Sequence, residues 1–221
     1  MDPSPRPTTK PDSFSPRPYS QGFKDLIADE DRLRELMEGS YALADVWNKD
    51  EAMEGWEHGR RFIAQAINKD GSFLDYGCAN GFLLRCLQEW CAKKLDIYGM
   101  DIDPKAVKEA RQLFPSIQNH FTTPEEFNNN PEYPREFDMV YWNVWDNWDF
   151  KDPHSGQEDL LNKLLKARNK GGRLILGFYN TREANNKTIE QLQKLGYKFS
   201  GILENPSGGE EIIAWIDKLT D

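Results

Sequence analysis

The chain has 221 residues, a formal net charge of -9 and an isoelectric point near 5.0. That length suits one sizeable core with a helical extension and is short for two full domains. An acidic balance disfavours a polyanionic partner, because nucleic-acid affinity rests on Lys and Arg neutralising phosphates. No apolar run is long enough to cross a bilayer and the N-terminus has no apolar leader, so a cytoplasmic protein without membrane contact is expected.

Residues 1–22 open with Pro3, Pro5, Pro7, Pro11, Pro16 and Pro18 among Ser, Thr, Arg and Lys. Such a composition cannot bury enough surface to fold, so a flexible tail is expected before a domain over 23–221. From Lys24 to about Asn68 the apolar spacing is helical, first through Leu26, Ile27, Leu33, Leu36 and Met37, then through Trp56, Phe62, Ile63, Ala66 and Ile67. Phe73 to Leu84 reads as a buried strand, a glycine turn and the start of a helix. Gly77 and Gly81 let the backbone turn sharply beside a ligand, and the free N–H groups of the helix face the same spot. A dinucleotide fingerprint counted from Gly77 would need a small residue where Phe82 stands, so a pyrophosphate ligand is disfavoured. The carboxylate of Asp75 would repel a diphosphate and attract an ammonium or sulfonium group.

The helix after the turn is predicted over Phe82 to about Leu95, with Asn80 as a capping candidate and Leu83, Leu84, Leu87, Trp90 and Cys91 on its apolar stripe. Cys78, Cys86 and Cys91 fall in this turn and helix, read as small core hydrophobes rather than a disulfide framework or metal ligands. Asp96 to Asp101 forms a second strand ending on an acid, placed to accept hydrogen bonds from ribose hydroxyls. Asp103-Pro104 then opens a helix that Pro115 stops. Ile117 to Phe121 is the third strand and Phe137 to Asn143 the fourth. Ser155-Gly156-Gln157-Glu158 supplies a capping box for a helix ending at Gly171-Gly172. A fifth strand runs from Arg173 to Phe178, a helix from Arg182 to Leu195, and Phe199–Glu204 with Glu211–Asp217 reads as a terminal hairpin.

The sequence Asp75-x-Gly77-x-Ala79-x-Gly81, followed by an acid at the end of the second strand, resembles the class I S-adenosylmethionine-dependent methyltransferases over about residues 40–221. The resemblance implies a Rossmann-like, doubly wound seven-stranded α/β sheet, mostly parallel with a C-terminal antiparallel hairpin, behind an N-terminal helical lid over 23–70. It implies S-adenosyl-L-methionine as cofactor, held by Asp75, Gly77, Asn80, Gly81, Asp101, Ile102, Thr122 and Asn143. Thr122 or Thr123 stands where the family usually carries an acid near the adenine amino group. Tyr41 and Trp47 lie where family members shape the acceptor pocket.

Tyr141 to Phe150 carries Trp142, Trp145 and Trp148 with Asp146 and Asp149, a setting suited to an amine or flat aromatic acceptor. Trp145 and Trp148 are substrate-binding candidates, and Asp146 and His154 are candidates for a general base. Asn143 resembles the Asn of amino-methyltransferases, although Val144-Trp145-Asp146 replaces the Pro-Pro-aromatic run that follows it there. The expected activity is in-line methyl transfer to a small-molecule amine, hydroxyl or aromatic acceptor. An aminopropyl transferase using Asp146 and Asp149, or a non-catalytic methyltransferase-like binding module, stands as the alternative.

Overall fold

The computed structural model describes residues 18–40, 49–144 and 156–218. The expectations for the proline-rich tail up to residue 17, for Tyr41 and Trp47, and for Trp145, Asp146, Trp148, Asp149 and His154 lie outside them. Among the described residues no helix is long and apolar enough to cross a membrane. Seven strands form one sheet in the order β3-β2-β1-β4-β5-β7-β6, with helices in the connections. The chain divides into two compact units, one ending at Pro134 and the other starting at Arg135.

In the first unit, α1 (Gln21–Ala28) and α2 (Glu30–Gly39) start on side-chain caps from Ser20 and Asp29, which accept hydrogen bonds from the Phe23 and Arg32 amides. Phe23, Leu33 and Met37 are fully buried. α3 (Lys49–Arg60) runs into a 3₁₀ turn over Arg61–Ala66. Its Trp56 donates an Nε1–H to Cys86 Sγ and lies 5.5 Å from the Phe82 ring. Then come β1 (Gly71–Tyr76), α4 (Phe82–Trp90), β2 (Leu95–Met100), α5 (Pro104–Leu113), β3 (Phe121–Thr122) and α6 (Pro124–Asn129). β1 pairs in parallel with β2, setting Asp75 opposite Gly99, and β2 pairs in parallel with β3.

α4 ends at Trp90 rather than near Leu95 because Cys91 turns extended, and Ala92, Lys93 and Lys94 offer no apolar face to prolong it. The third strand is shorter than expected. Pro115–His120 winds into a 3₁₀ turn, the His120 Nδ1–H donates to the Ile97 carbonyl at 2.9 Å, and only Phe121 and Thr122 remain extended. α6 has no counterpart in the sequence reading. Its signal is Thr123-Pro124-Glu125-Glu126, where the Thr123 hydroxyl and Glu126 carboxylate satisfy each other's amides.

The second unit holds β4 (Phe137–Val144), α7 (Gln157–Lys166), β5 (Arg168–Phe178), α8 (Arg182–Lys194), β6 (Gly201–Glu204) and β7 (Ile212–Asp217). β4 and β5 are parallel, while β7 runs antiparallel to both β5 and β6. β5 begins at Arg168 instead of Arg173, because Gly171 takes a φ of +71° and the register with β4 jumps there without ending the pairing. The predicted capping box is replaced by Gly156 as the N-cap of α7, with no side-chain cap. α8 ends on Gly196 as expected: Gly196 donates to the Gln193 carbonyl and Tyr197 to that of Leu192, a Schellman closure.

The entry of the chain is tied down by charge as well as by packing. The Ser20 amide and hydroxyl donate to the two Glu89 carboxylate oxygens at 2.8 and 2.7 Å, Arg85 donates to the same carboxylate at 2.7 Å, and the Arg85 guanidinium lies 5.0 Å from the Phe23 ring. Burial would raise the Glu89 carboxyl, but these hydrogen bonds outweigh it and hold the group below its ordinary value. Glu89→Gln is expected to cost about 2 kcal/mol, the worth of hydrogen bonds to a charged group. A depressed carboxylate stabilises above its unfolded pKa and loses that contribution as pH falls through its lowered folded pKa, so the wild-type advantage in thermal melts should shrink as pH drops below the ordinary glutamate value of about 4.3.

Candidate active site

The turn after β1 is built by backbone geometry that its sequence permits. Gly77 has a φ of +86°, and a Cβ added there would meet nothing within 4 Å, so the position needs glycine for its conformation and faces open space. Gly81 has a φ of +79°, and there a Cβ would press on Phe114 and Ala110 at 3.1 and 3.3 Å. It therefore serves both the turn and the close seating of α4 against α5. Ala79, between them, also takes a positive φ of 48°. A residue with a Cβ is strained there, and such strain collects where structure is held for a purpose.

The turn is fastened to the end of β2. The Gly77 and Cys78 amides both donate to the Met100 carbonyl, at 2.7 and 3.1 Å. The strained Ala79 amide donates to Asp101 Oδ2 at 2.8 Å, and the Asp103 amide donates to Asp101 Oδ1 at 2.9 Å. Each Asp101 oxygen thus accepts one backbone hydrogen bond and keeps a further lone pair for a hydroxyl donor. Asp75 differs: it is 2% exposed, and among the described residues no donor reaches its carboxyl. Burial, with the Asp101 charge adding to it, raises the Asp75 pKa to about 8. Burial followed by the Asp75 and Asp101 charges also raises the Cys78 thiol well above its ordinary value, so Cys78 is no thiolate nucleophile.

The remaining sequence candidates divide. Ile102 follows Asp101 with 81% of its surface exposed, a bare apolar platform beside two carboxylates. Thr122 is buried, and its hydroxyl donates to the Thr123 carbonyl at 3.1 Å and lies 3.4 Å from Glu126. Asn80, expected at the cofactor, commits its side chain to protein partners in α2, and its Oδ1 also accepts the first α4 amide, that of Phe82, at 3.2 Å. In the second unit, Asn143 stands near the carboxyl end of β4, opposite Gly177 of β5. Among the described residues its buried Oδ1 has no hydrogen-bond partner. An orphaned acceptor costs free energy, which a donor from outside the chain would recover. Among the described residues no group of His, Cys, Asp and Glu side chains could hold a metal ion.

A parallel Rossmann-like sheet carrying an open glycine turn, a desolvated acid before it and a hydrogen-bonded acid at the next strand end has the form of a class I S-adenosylmethionine-dependent methyltransferase. Residues 67–215 match the family described as methyltransferase domain, and the chain belongs to that family. A ribosomal protein L11 methyltransferase of Paraburkholderia phymatum is 32% identical over 124 residues, which make up 56% of this chain and 37% of that protein. The chain thus spans little more than a third of that relative. Among solved structures, fibrillarin of Aeropyrum pernix with natively bound S-adenosyl-L-methionine superposes with a TM-score of 0.50 at 12% identity, covering 72% of this chain and 76% of that one. The N-methyltransferase NodS of Bradyrhizobium japonicum gives 0.52 at 15% identity, covering 78% and 99%. Both share the fold, and the cofactor class is S-adenosylmethionine.

The residues of the turn fit that cofactor. A cation satisfies the buried Asp75 carboxyl, Asp101 has free lone pairs for hydroxyls, and Gly77 leaves space for close approach. Asp75 also has a stability consequence. Its folded pKa of about 8 lies above its unfolded value of about 3.9, so the group favours the fold fully below the latter and loses that contribution as pH rises through 8. Asp75→Asn should therefore raise the melting temperature of the ligand-free protein at pH 8, narrow its advantage towards pH 4, and abolish cofactor binding. A lower melting temperature at pH 8 would contradict this assignment.

Proposed function

We propose that the chain moves the methyl group of S-adenosylmethionine to an amine nitrogen, and the observation that carries this reading is the Asp75 carboxyl, without a donor among the described residues and raised first by burial and then by the Asp101 charge. When bound, the cofactor supplies a methyl group already activated on a sulfonium, with a neutral thioether as leaving group. Asp75 would take the positive charge of the cofactor's amino-acid end, Asp101 its ribose hydroxyls and Ile102 its adenine face. Gly77 and Gly81 would hold the backbone against it. With the donor so activated, the protein's task is mainly alignment, which can contribute several kcal/mol, up to ~7–11 for well-oriented reactions.

The amine acceptor is supported by Asn143, whose buried Oδ1 can receive only a donor and therefore suits an N–H of the acceptor. Trp145, Trp148, Tyr41 and Trp47 remain the proposed acceptor-binding residues. Asp146 or His154 would remove the proton that an ammonium must lose before attack. The name of the Paraburkholderia relative favours a protein acceptor, whereas the net charge of -9 favours any basic acceptor, small molecules included. A cytoplasmic location and a domain over 23–221 belong to the same proposal.

Calorimetry with S-adenosylmethionine at pH 8 should give one site per chain, weakened at least tenfold by Asp101→Ala. Absence of binding at millimolar ligand would overturn the reading. Decarboxylated cofactor should bind more weakly, and tighter binding would favour aminopropyl transfer. Radiolabel transfer is expected to purified ribosomal protein L11 or to small primary amines, but not to both. Label on L11 would replace the small-molecule expectation, and label on amines alone would support it.

A further inference from the structure

α2 ends in an unusual way, and the reason lies in the cofactor turn. The Ser40 amide closes on the Met37 carbonyl rather than on that of Leu36, one turn back. Asn80 Nδ2 donates to the Leu36 carbonyl at 2.8 Å, and the Ser40 hydroxyl donates to Asn80 Oδ1 at 2.7 Å. The same Oδ1 accepts the amide of Phe82. Asn80 and Ser40 are both buried, at 1% and 8% exposure, so water does not compete for these bonds. Gly39 completes the contact. A Cβ there would stand 2.5 Å from Asn80 Nδ2, which explains a glycine as the last helical residue of α2.

Leu33 and Met37, a turn apart on α2, are fully buried, so the helix is anchored by packing on its own account. The side chain that joins it to the turn has Ala79 on one side, whose strained amide holds Asp101, and Gly81 on the other. Any displacement of α2 therefore pulls on a turn whose geometry fixes the ribose-binding acid.

We infer that Asn80 is a positioning residue that fastens the cofactor turn to the last turn of α2, so that cofactor affinity depends on the seating of an N-terminal helix that need not touch the cofactor. The inference rests on the cofactor reading above. It makes binding at the turn and docking of α2 a linked equilibrium, in which each favours the other to the same extent.

The test measures S-adenosylhomocysteine affinity by calorimetry in the full chain, together with thermal melts and amide hydrogen exchange. Ser40→Ala, which keeps the turn sequence intact, should weaken binding about fivefold, the worth of one buried hydrogen bond. Gly39→Ala, which pushes α2 from Asn80 while leaving Asn80 unchanged, should weaken it by at least as much. Asn80→Ala should weaken it further, and Ser40→Ala should then add nothing in the double variant. In the wild-type protein the ligand should slow exchange at the Ser40 and Phe82 amides together. Lower melting temperatures with unchanged affinity at a temperature where every variant is folded would reduce Asn80 to a structural contact. Wild-type protein that fails to bind would instead remove the cofactor reading itself.

Discussion

Two carboxylates held close enough to influence each other, one of them out of reach of any donor among the described residues, set the terms for the rest of the first unit. Asp75 is buried at the end of β1, and the Asp101 charge at the end of β2 adds to its desolvation. Separating the two would lower the cost, but the backbone prevents it. Parallel pairing sets Asp75 beside Gly99, two residues before Asp101. The Ala79 and Asp103 amides then hold both Asp101 oxygens in place. Ala79 accepts a positive φ to deliver its amide, so the chain adds backbone strain to electrostatic cost at the same spot. Such an arrangement gains most from a ligand that brings positive charge to one acid and hydroxyl donors to the other.

The supports of the turn lie on several sides. Met100 holds its first two amides, Gly81 lets α4 sit against Phe114 and Ala110, and Asn80 fastens it to α2. α1 and α2 are secured in turn by Phe23, Leu33 and Met37 in the core and by the Ser20, Glu89 and Arg85 cluster. The matched family segment begins at residue 67, yet the side chain in its glycine turn is completed by residues 36 to 40. Residues outside the matched family segment are thus built into this turn.

The glycine turn after β1 was legible in the sequence because its parts are local. Glycines at Gly77 and Gly81 announce positive φ angles, and acids at strand ends announce where charge collects. Asp103-Pro104 and the Asn205 to Gly209 turn likewise carry their own signals. Other features depend on partners distant in sequence. Nothing near Asn80 says that its amide belongs to Leu36 and Ser40, although Gly39 within a helical pattern was a trace of that close approach. The third strand shrank because His120 bonds to Ile97, and β5 extended back to Arg168 because a bulge at Gly171 tolerated the register jump. The capping box at Thr123 was legible and went unread.

The central claim is that Asp75 holds a proton in the ligand-free protein and gives it up to a cationic ligand. A carbon-13 NMR titration of the Asp75 carboxyl, with and without S-adenosylmethionine, measures this directly. The account predicts an apparent pKa near 8 without ligand, falling below the ordinary carboxylate value when the cofactor is bound. An ordinary carboxylate pKa in the ligand-free protein, or a value that the cofactor leaves unmoved, would contradict it.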